Sequence, residues 1–422
     1  MNLKWELPGF QLDLQALVEG AAPTLPSSAQ LQKHDAVLRE KWAGPIGFYH
    51  LPAKLLETKP ECLASAVDKI RREYDCALVL GIGGSYLGAA SAVDAVGSSE
   101  FPLIWVSNID PSAIARAHKA IEGKKAATIV ISKSGNTTET LAAFYHFSPR
   151  LDPKGFFAIT DPQSGELRRL ATQNHWAAME VPPNIGGRFS VLTPVGLLPA
   201  ALGGVDTQAL VQGAAAMRDA LEKSPVEQNP AYLLAATLHA WDTQKGHSLH
   251  YLMPYWSSLR SFAEWYVQLW GESLGKKTPA GQRVGPTAVA ALGTTDQHSL
   301  LQLFNEGPLN KVVGFIDVVG QGSPTAVGSA SFEPGASAYL CRHSFEKISQ
   351  AACAATLQSL KNSQVPTYKI TVGRLDARTV GALYFLFETA TAFAGELYGV
   401  DAFNQPGVEE SKKLLHAALS AG

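Results

Sequence analysis

Apolar residues are arranged along this chain in two alternating ways: short runs without polar interruption, and longer stretches in which they recur every three or four positions. The run Ala77 to Leu80, within ALVLGIGGSYLGAASAVDAV, is of the first kind and reads as a strand buried on both faces at the centre of a parallel sheet. A helix over Leu63 to Arg72 precedes it, and a turn at Gly81, Gly83 and Gly84 leads into a small-residue helix over Leu87 to Val96. The alternation then continues with a strand over Pro102 to Asn108, a helix over Ile114 to Gly123, a strand over Thr128 to Ile131, a helix from about Glu139, and a strand over Gly155 to Thr160. Helices dominate from about Asp206 to Lys245. Beyond them lie strands over His247 to Tyr255 and Val312 to Val319, with an aromatic-rich helix over Ser257 to Lys277. Strands alternating with helices predict parallel βαβ units, so the fold class is α/β, built as three-layer sandwiches. Residues 1–60, punctuated by Pro8, Pro23, Pro26, Pro45, Pro52 and Pro60, read as an arm or lid on that body.

Two of the predicted strands end alike. After the first come the three glycines and the hydroxyl of Ser85; after the third come Ser132, Lys133, Ser134, Gly135, Asn136, Thr137 and Thr138. A strand, a turn and a helix start aim free N–H groups and a positive helix end at one spot, which suits phosphate. Neither turn is a dinucleotide fingerprint, since the third glycine of that pattern would fall at Tyr86, and no lysine follows the glycines as a P-loop requires. By itself the first turn is equally a structural connection, and the second equally an N-cap cluster. Two adjacent strands ending this way favour a shared phosphate cradle.

Further candidates are scattered along the chain. In VPPNIGGRFSVLTPVGLLPAALGG, Gly186 and Gly187 leave room for a close approach, and Arg188 is either a domain-bridging ion pair or a cation facing an anionic substrate. Glu272 ends a helix crowded by Phe262, Trp265, Tyr266, Leu269 and Trp270. It is either solvent-facing, or a carboxylate whose pKa the helix end and apolar neighbours raise toward that of a general base. His298, in LGTTDQHSLLQLF, fits capping and catalysis equally well. Lys412 falls on an apolar helix stripe with Val408, Ser411, Leu415, Ala418 and Leu419, where it either snorkels or enters a pocket, while Glu409, Glu410 and Lys413 point away. His247 and His250, three apart in a strand, would face opposite ways and make a poor metal pair.

Composition narrows the function classes. The 422 residues are 46% hydrophobic and 17% charged with a net charge of −2, enough for two or three domains and without the basic face that nucleic acid or an anionic membrane needs. The start, MNLKWELPGFQLDL, lacks the apolar core of an export signal, and no uninterrupted apolar window reaches the ~18 residues of a membrane span. Cys62, Cys76, Cys341 and Cys353 are widely spaced, as expected of reduced thiols in a cytoplasmic protein.

Five segments taken together, GIGGSYLG, ISKSGNTTET, GGRFSVLTPVGLLP, QLWGESLGK with TTDQHS, and FNQPGVEESKK, strongly resemble the signatures of the phosphoglucose isomerase family, in that family's order and from about residue 80 to residue 413. The resemblance implies two sugar-isomerase-type α-β-α sandwich domains and a metal-free, cofactor-free aldose–ketose isomerisation of glycolysis and gluconeogenesis, at a site completed by a dimer partner. It divides the chain into an arm over 1–60, a phosphate-binding domain over 61–205, a second domain over 206–400 and a terminal helix over 401–422. Carried over by motif position, Ser85, Ser132, Ser134 and Thr137 would bind the sugar phosphate, with Gly84 and Lys133 in the same loops and Gly187 beside them. Glu272 would move a proton between C2 and C1, Arg188 would steady the enediolate, and His298, helped by Lys412 and oriented by Glu139, would open the ring. Gln268 and Gln405 would hold hydroxyls. Asn136 stands where bacterial relatives usually carry Thr, which would weaken one phosphate contact; Phe189 replaces the usual Tyr after the arginine; and the short chain puts dimer contacts in question.

The reaction implied is interconversion of D-glucose 6-phosphate and D-fructose 6-phosphate through a cis-enediolate. A dual phosphoglucose/phosphomannose isomerase is the nearest competitor, and Gln268, where such relatives tend to carry a small hydroxyl residue, favours glucose. A non-catalytic sugar-phosphate sensor would have no reason to retain Glu272, His298, Arg188 and Lys412 together. A nicotinamide dehydrogenase is disfavoured by Tyr86.

Overall fold

In a computed structural model that describes residues 3–19, 22–44, 47–58, 61–321, 324–333 and 335–420, the chain opens with a β-hairpin. Strands β1 (Lys4–Leu7) and β2 (Phe10–Asp13) pair antiparallel across Pro8 and Gly9, the glycine taking φ of 76°. Helix α1 (Ser28–Ala43) starts at a capping box in which Ser27 and Gln30 satisfy each other's backbone N–H groups, and α2 (Leu51–Thr58) follows. The expected arm is therefore part sheet and part helix; its Pro45 and Pro60 lie outside the described residues.

The first α/β unit runs through α3 (Glu61–Glu73), β3 (Cys76–Leu80), α4 (Leu87–Val96), β4 (Leu103–Val106), α5 (Pro111–Ile121), β5 (Ala126–Ser132), α6 (Thr138–Phe147), β6 (Phe156–Thr160), α7 (Glu166–Gln173) and β7 (Ala177–Glu180). Its five strands are all parallel, in the order β4-β3-β5-β6-β7. Every residue of β3, β5 and β6 is buried. Alternate residues enter opposite layers: Ala77 and Val79 pack with Ile129, Ile131 and Leu198, whereas Leu78 and Leu80 pack with Val130, Phe144 and Phe147. That two-sided burial is why these strands read as unbroken apolar runs. β7 has no such run, being AAME with three of its four residues exposed, and its pattern gives no strand signal.

Helices α8 (Pro194–Leu202), α9 (Thr207–Lys223) and α10 (Pro230–Lys245) lead into the second unit. It contains β8 (Leu249–Pro254), α11 (Arg260–Leu274), a hairpin of β9 (Lys276–Lys277) and β10 (Arg283–Val284), then β11 (Thr287–Ala290), α12 (Gln297–Glu306), β12 (Lys311–Val318), α13 (Phe345–Asn362), β13 (Thr367–Val372) and α14 (Ala377–Tyr398). The sheet order is β1-β2-β13-β12-β8-β11, so the N-terminal hairpin extends the second sheet by antiparallel pairing of β2 with β13. The pairing covers β13 and leaves the four-residue strand β1 as the edge, and a short edge strand is a poor template for pairing with another chain. α14 is buried on nearly all sides, and its Tyr384 hydroxyl meets the Ser91 hydroxyl of α4 at 2.6 Å, joining the two units.

His247 precedes β8, so the alternation argument does not apply to it. His250 is buried, with Nδ1 accepting from Trp270 Nε1 at 3.1 Å and Nε2 3.2 Å from the His247 carbonyl, a hydrogen-bonded core imidazole. The chain ends in α15 (Glu409–Ser420), every described residue of which is exposed. No described helix is long and apolar enough to cross a membrane.

Candidate active site

The order β4-β3-β5 means that strand addition reverses between β3 and β5, and ligands of open α/β sheets bind outside the carboxyl ends of strands at such a switch point. Both hydroxyl-bearing turns sit there. Gly83 to Ser85 form one turn of 3-10 helix, Gly83 at φ 58°. A Cβ on Gly84 would lie 2.4 Å from the Gly187 carbonyl oxygen and 2.9 Å from Arg188 N, so glycine is what lets this turn rest on the backbone of the arginine segment. After β5, Gly135 takes φ of 69° and turns the chain into α6.

A cleft of about 800 Å³ opens between these turns and α11, of a size that encloses a small organic ligand. Gly84, Ser85, Lys133, Ser134, Thr137, Glu139, Gly187, Arg188, Gln268, Glu272, Gln405 and Lys412 all line it. Ser132 does not. It is buried under the turn, its hydroxyl 2.8 Å from that of Thr137 and accepting the Thr137 N–H at 3.4 Å, where it braces the loop that presents the others. α6 begins at Thr138 rather than Glu139, with Thr137 at the N-cap, so the helix start faces the cleft.

Glu272 occupies the last turn of α11. Of the aromatic neighbours expected to crowd it, Tyr266 and Trp270 are buried on the far side of that helix and Trp265 is buried two turns earlier, while Glu272 shares the cleft side with Gln268, one turn earlier. Gln268 Nε2 donates to Glu272 Oε2 at 3.2 Å, and Arg188 Nη1 stands 3.4 Å from Oε1. Arg188 is buried; it pairs with Glu272 across the two units, and it also borders the cleft. Its other contacts are Nε to Ser273 Oγ at 2.7 Å, Nη1 to Gln405 Oε1 at 3.0 Å, and Nη2 to the carbonyls of Ala402 and Asn404. Burial lowers its pKa and the Glu272 charge works against that shift. Lys133 is lowered by burial too, with Asp161 opposing and Arg188 adding to it, while its ammonium donates to the Pro183 carbonyl at 3.0 Å.

On the opposite side of the cleft α15 contributes Ser411, Lys412, Leu415 and His416. Lys412 Nζ reaches Glu409 Oε1 at 2.7 Å, so Glu409 shares its side of the helix instead of pointing away. His416 carries no motif signal in the sequence, although its place four residues after Lys412 puts it on the same helix face. His298 is exposed near the start of α12 and is not among the residues lining the cleft of its own chain.

The two departures from family pattern have structural partners. Asn136 Oδ1 accepts the Glu166 N–H at 2.8 Å, tying the phosphate turn to the start of α7. Phe189 is buried against Phe48 and Phe403.

Comparison with known proteins follows the same outline. The family model for phosphoglucose isomerase matches residues 70–421. Glucose-6-phosphate isomerase of Carboxydothermus hydrogenoformans is 37% identical over 404 residues, covering 90% of this chain and 87% of its own. A hypothetical protein from Thermus thermophilus, known as a crystal structure, superposes with a TM-score of 0.85 at 31% identity over 97% of this chain and 99% of its own. Glucose-6-phosphate isomerase of Chlamydia trachomatis shares the fold, with a TM-score of 0.83 at 21% identity over 99% of this chain and 90% of its own. With the match running from α3 through α15 and spanning both turns, Arg188, Glu272 and Lys412, the chain belongs to the phosphoglucose isomerase family.

Proposed function

We propose that this protein interconverts D-glucose 6-phosphate and D-fructose 6-phosphate in the cleft at the β3–β5 switch point. What carries the proposal is that one cleft holds two hydroxyl-bearing turns at helix starts and, facing them, a carboxylate braced by a guanidinium. The phosphate sits against Ser85, Ser134 and Thr137, with the Lys133 ammonium nearby and Ser132 supporting from beneath. Anchoring away from the reacting atoms supplies binding energy that fixes orientation.

Glu272 takes the proton from C2 of the open aldose and returns it to C1. One carboxylate serves both carbons because the intermediate is a planar cis-enediolate. Arg188, positive and desolvated, offsets the charge that develops on the enediolate oxygens. Gln268 and Gln405 hold hydroxyls, and the glutamine at 268 favours glucose over the mannose epimer. The remaining proton passes from O2 to O1 across the cis-enediolate, so the atoms balance and the reaction calls for no metal or cofactor.

His298 enters this scheme from a second copy of the chain. Its exposure on α12, away from its own cleft, supports a dimer in which each partner completes the other's site, with His298 and Lys412 opening the pyranose ring and Glu139 orienting the imidazole. A cytoplasmic enzyme of central sugar metabolism, without nucleic-acid or membrane partners, is the corresponding physiological setting. A coupled assay that reports glucose 6-phosphate formed from fructose 6-phosphate tests the proposal, with mannose 6-phosphate as second substrate. Fast turnover of the first and slow turnover of the second is expected; no turnover of fructose 6-phosphate would refute it.

A further inference from the structure

The segment that carries Glu272 holds a second cation that no step above uses. Lys276 follows α11 at the start of β9, and its side chain folds back so that Nζ donates to the carbonyls of Glu272 at 3.1 Å and Ser273 at 2.5 Å. Those carbonyls belong to the last turn of α11, where backbone acceptors have no partner within the helix and the dipole is negative. Across the β9–β10 hairpin its register partner is Val284, which brings no charge. The charges that act on it are Arg188 from the turn Gly187–Phe189, Glu272 on its own segment and Asp401 from the chain preceding α15. Lys276 does not line the cleft.

We propose that Lys276 is a positioning residue for the general base: as a cation bound to the final carbonyls of α11, it fixes the backbone beneath Glu272 and offsets the negative helix end. The inference rests on the isomerase proposal. A carboxylate in the last turn of a helix faces an unfavourable dipole, and without a compensating cation it is pushed to turn away or to take up a proton, either of which removes the base. Arg188 pairs with the carboxylate itself, whereas Lys276 neutralises the peptide groups behind it. Burial first, and Arg188 second, lower the ammonium pKa to about 8, against the opposing pull of Asp401 and Glu272. The cation is therefore lost in mildly alkaline solution, and turnover falls with it while substrate affinity holds.

The test is kcat and KM for fructose 6-phosphate between about pH 6.5 and 10 in the wild type, Lys276→Arg and Lys276→Met, with melting temperatures alongside. The wild type is expected to lose kcat above about pH 8, whereas Lys276→Arg, which keeps its charge, loses that limb and stays level. Lys276→Met is expected to have kcat lowered about tenfold at every pH, with KM within about twofold, the scale of a cation at a partly buried helix end. An alkaline limb in Lys276→Arg at the wild-type position, or a loss in Lys276→Met carried by KM, would overturn the proposal. Should the methionine variant fail to fold, the arginine profile decides alone. A wild type inactive at every pH would overturn the isomerase proposal and this one together; an active wild type with an unmoved arginine limb overturns this one only.

Discussion

Arg188 stands 3.4 Å from Glu272 with a guanidinium already committed to Ser273, Gln405 and the carbonyls of Ala402 and Asn404. A single buried cation thus links the proposed base to the segment that leads into α15. Lysine at this position would keep the charge but could not reach all of these acceptors from one ammonium. Arg188→Lys is expected to lose about 2–4 kcal/mol of stability in urea unfolding, from buried acceptors left unpaired, and to lose most of its turnover.

Glu272 can lose its charge without losing its shape, since glutamine keeps an oxygen to face Arg188 and the side chain is 25% exposed to water. Glu272→Gln is expected to melt within a few degrees of the wild type, yet to lose about a thousandfold in kcat, the scale of a missing general base. Circular dichroism melting together with the coupled assay separates the two effects.

Gly84 offers a test of the close packing between the first phosphate turn and the arginine segment. A methyl group there must displace the Gly187 carbonyl from 2.4 Å and the Arg188 nitrogen from 2.9 Å, so Gly84→Ala pushes the turn and the Arg188 segment apart. Steady-state kinetics are expected to show KM raised about tenfold or more together with a fall in kcat, since anchoring and the placement of Arg188 are disturbed at once.

Asn136 lines the cleft and also ties its turn to the next helix. Its side chain caps the first turn of α7 through the Glu166 N–H, so Asn136→Ala is expected to cost about 1 kcal/mol of stability and to leave kcat/KM within a few-fold. Chemical denaturation and steady-state kinetics on the same sample check both halves.

How much the sequence revealed follows from what each signal depends on. Strands β3, β5 and β6 are buried on both faces and betray themselves as apolar runs, and the turns after β3 and β5 are legible because positive φ at Gly83 and Gly135 calls for glycine. The hairpin β1–β2 is hidden because four-residue strands around Pro8–Gly9 draw their stability from β13, far away in the chain. β11, TAVA, is likewise too short to show a period. Ser132 and Ser134 look alike in the motif, and only the fold separates the buried brace from the cleft-lining hydroxyl. His298 illustrates a different limit, since its motif does not reveal that the side chain lies outside the cleft of its own chain.

His250 supplies a pH dependence independent of catalysis. Full burial holds its pKa down to about 3, whereas an unfolded chain takes the proton near pH 6.5. Because the unfolded state binds the proton first, stability present above about pH 6.5 is lost as pH falls toward 3, at up to about 1.4 kcal/mol per pH unit. His250→Gln, which keeps an acceptor for Trp270, is expected to flatten that acid slope in melting curves between about pH 6 and 4.

The most direct test of Glu272 as a proton-carrying base is isomerisation of fructose 6-phosphate in deuterium oxide, with NMR detection at C2 of the glucose 6-phosphate formed. Wild-type enzyme is expected to place solvent deuterium at C2 in a substantial fraction of product, and Glu272→Gln to form almost none. Glu272→Gln turning over at the wild-type rate, or placing deuterium at C2 as the wild type does, would contradict an enediolate formed by this carboxylate.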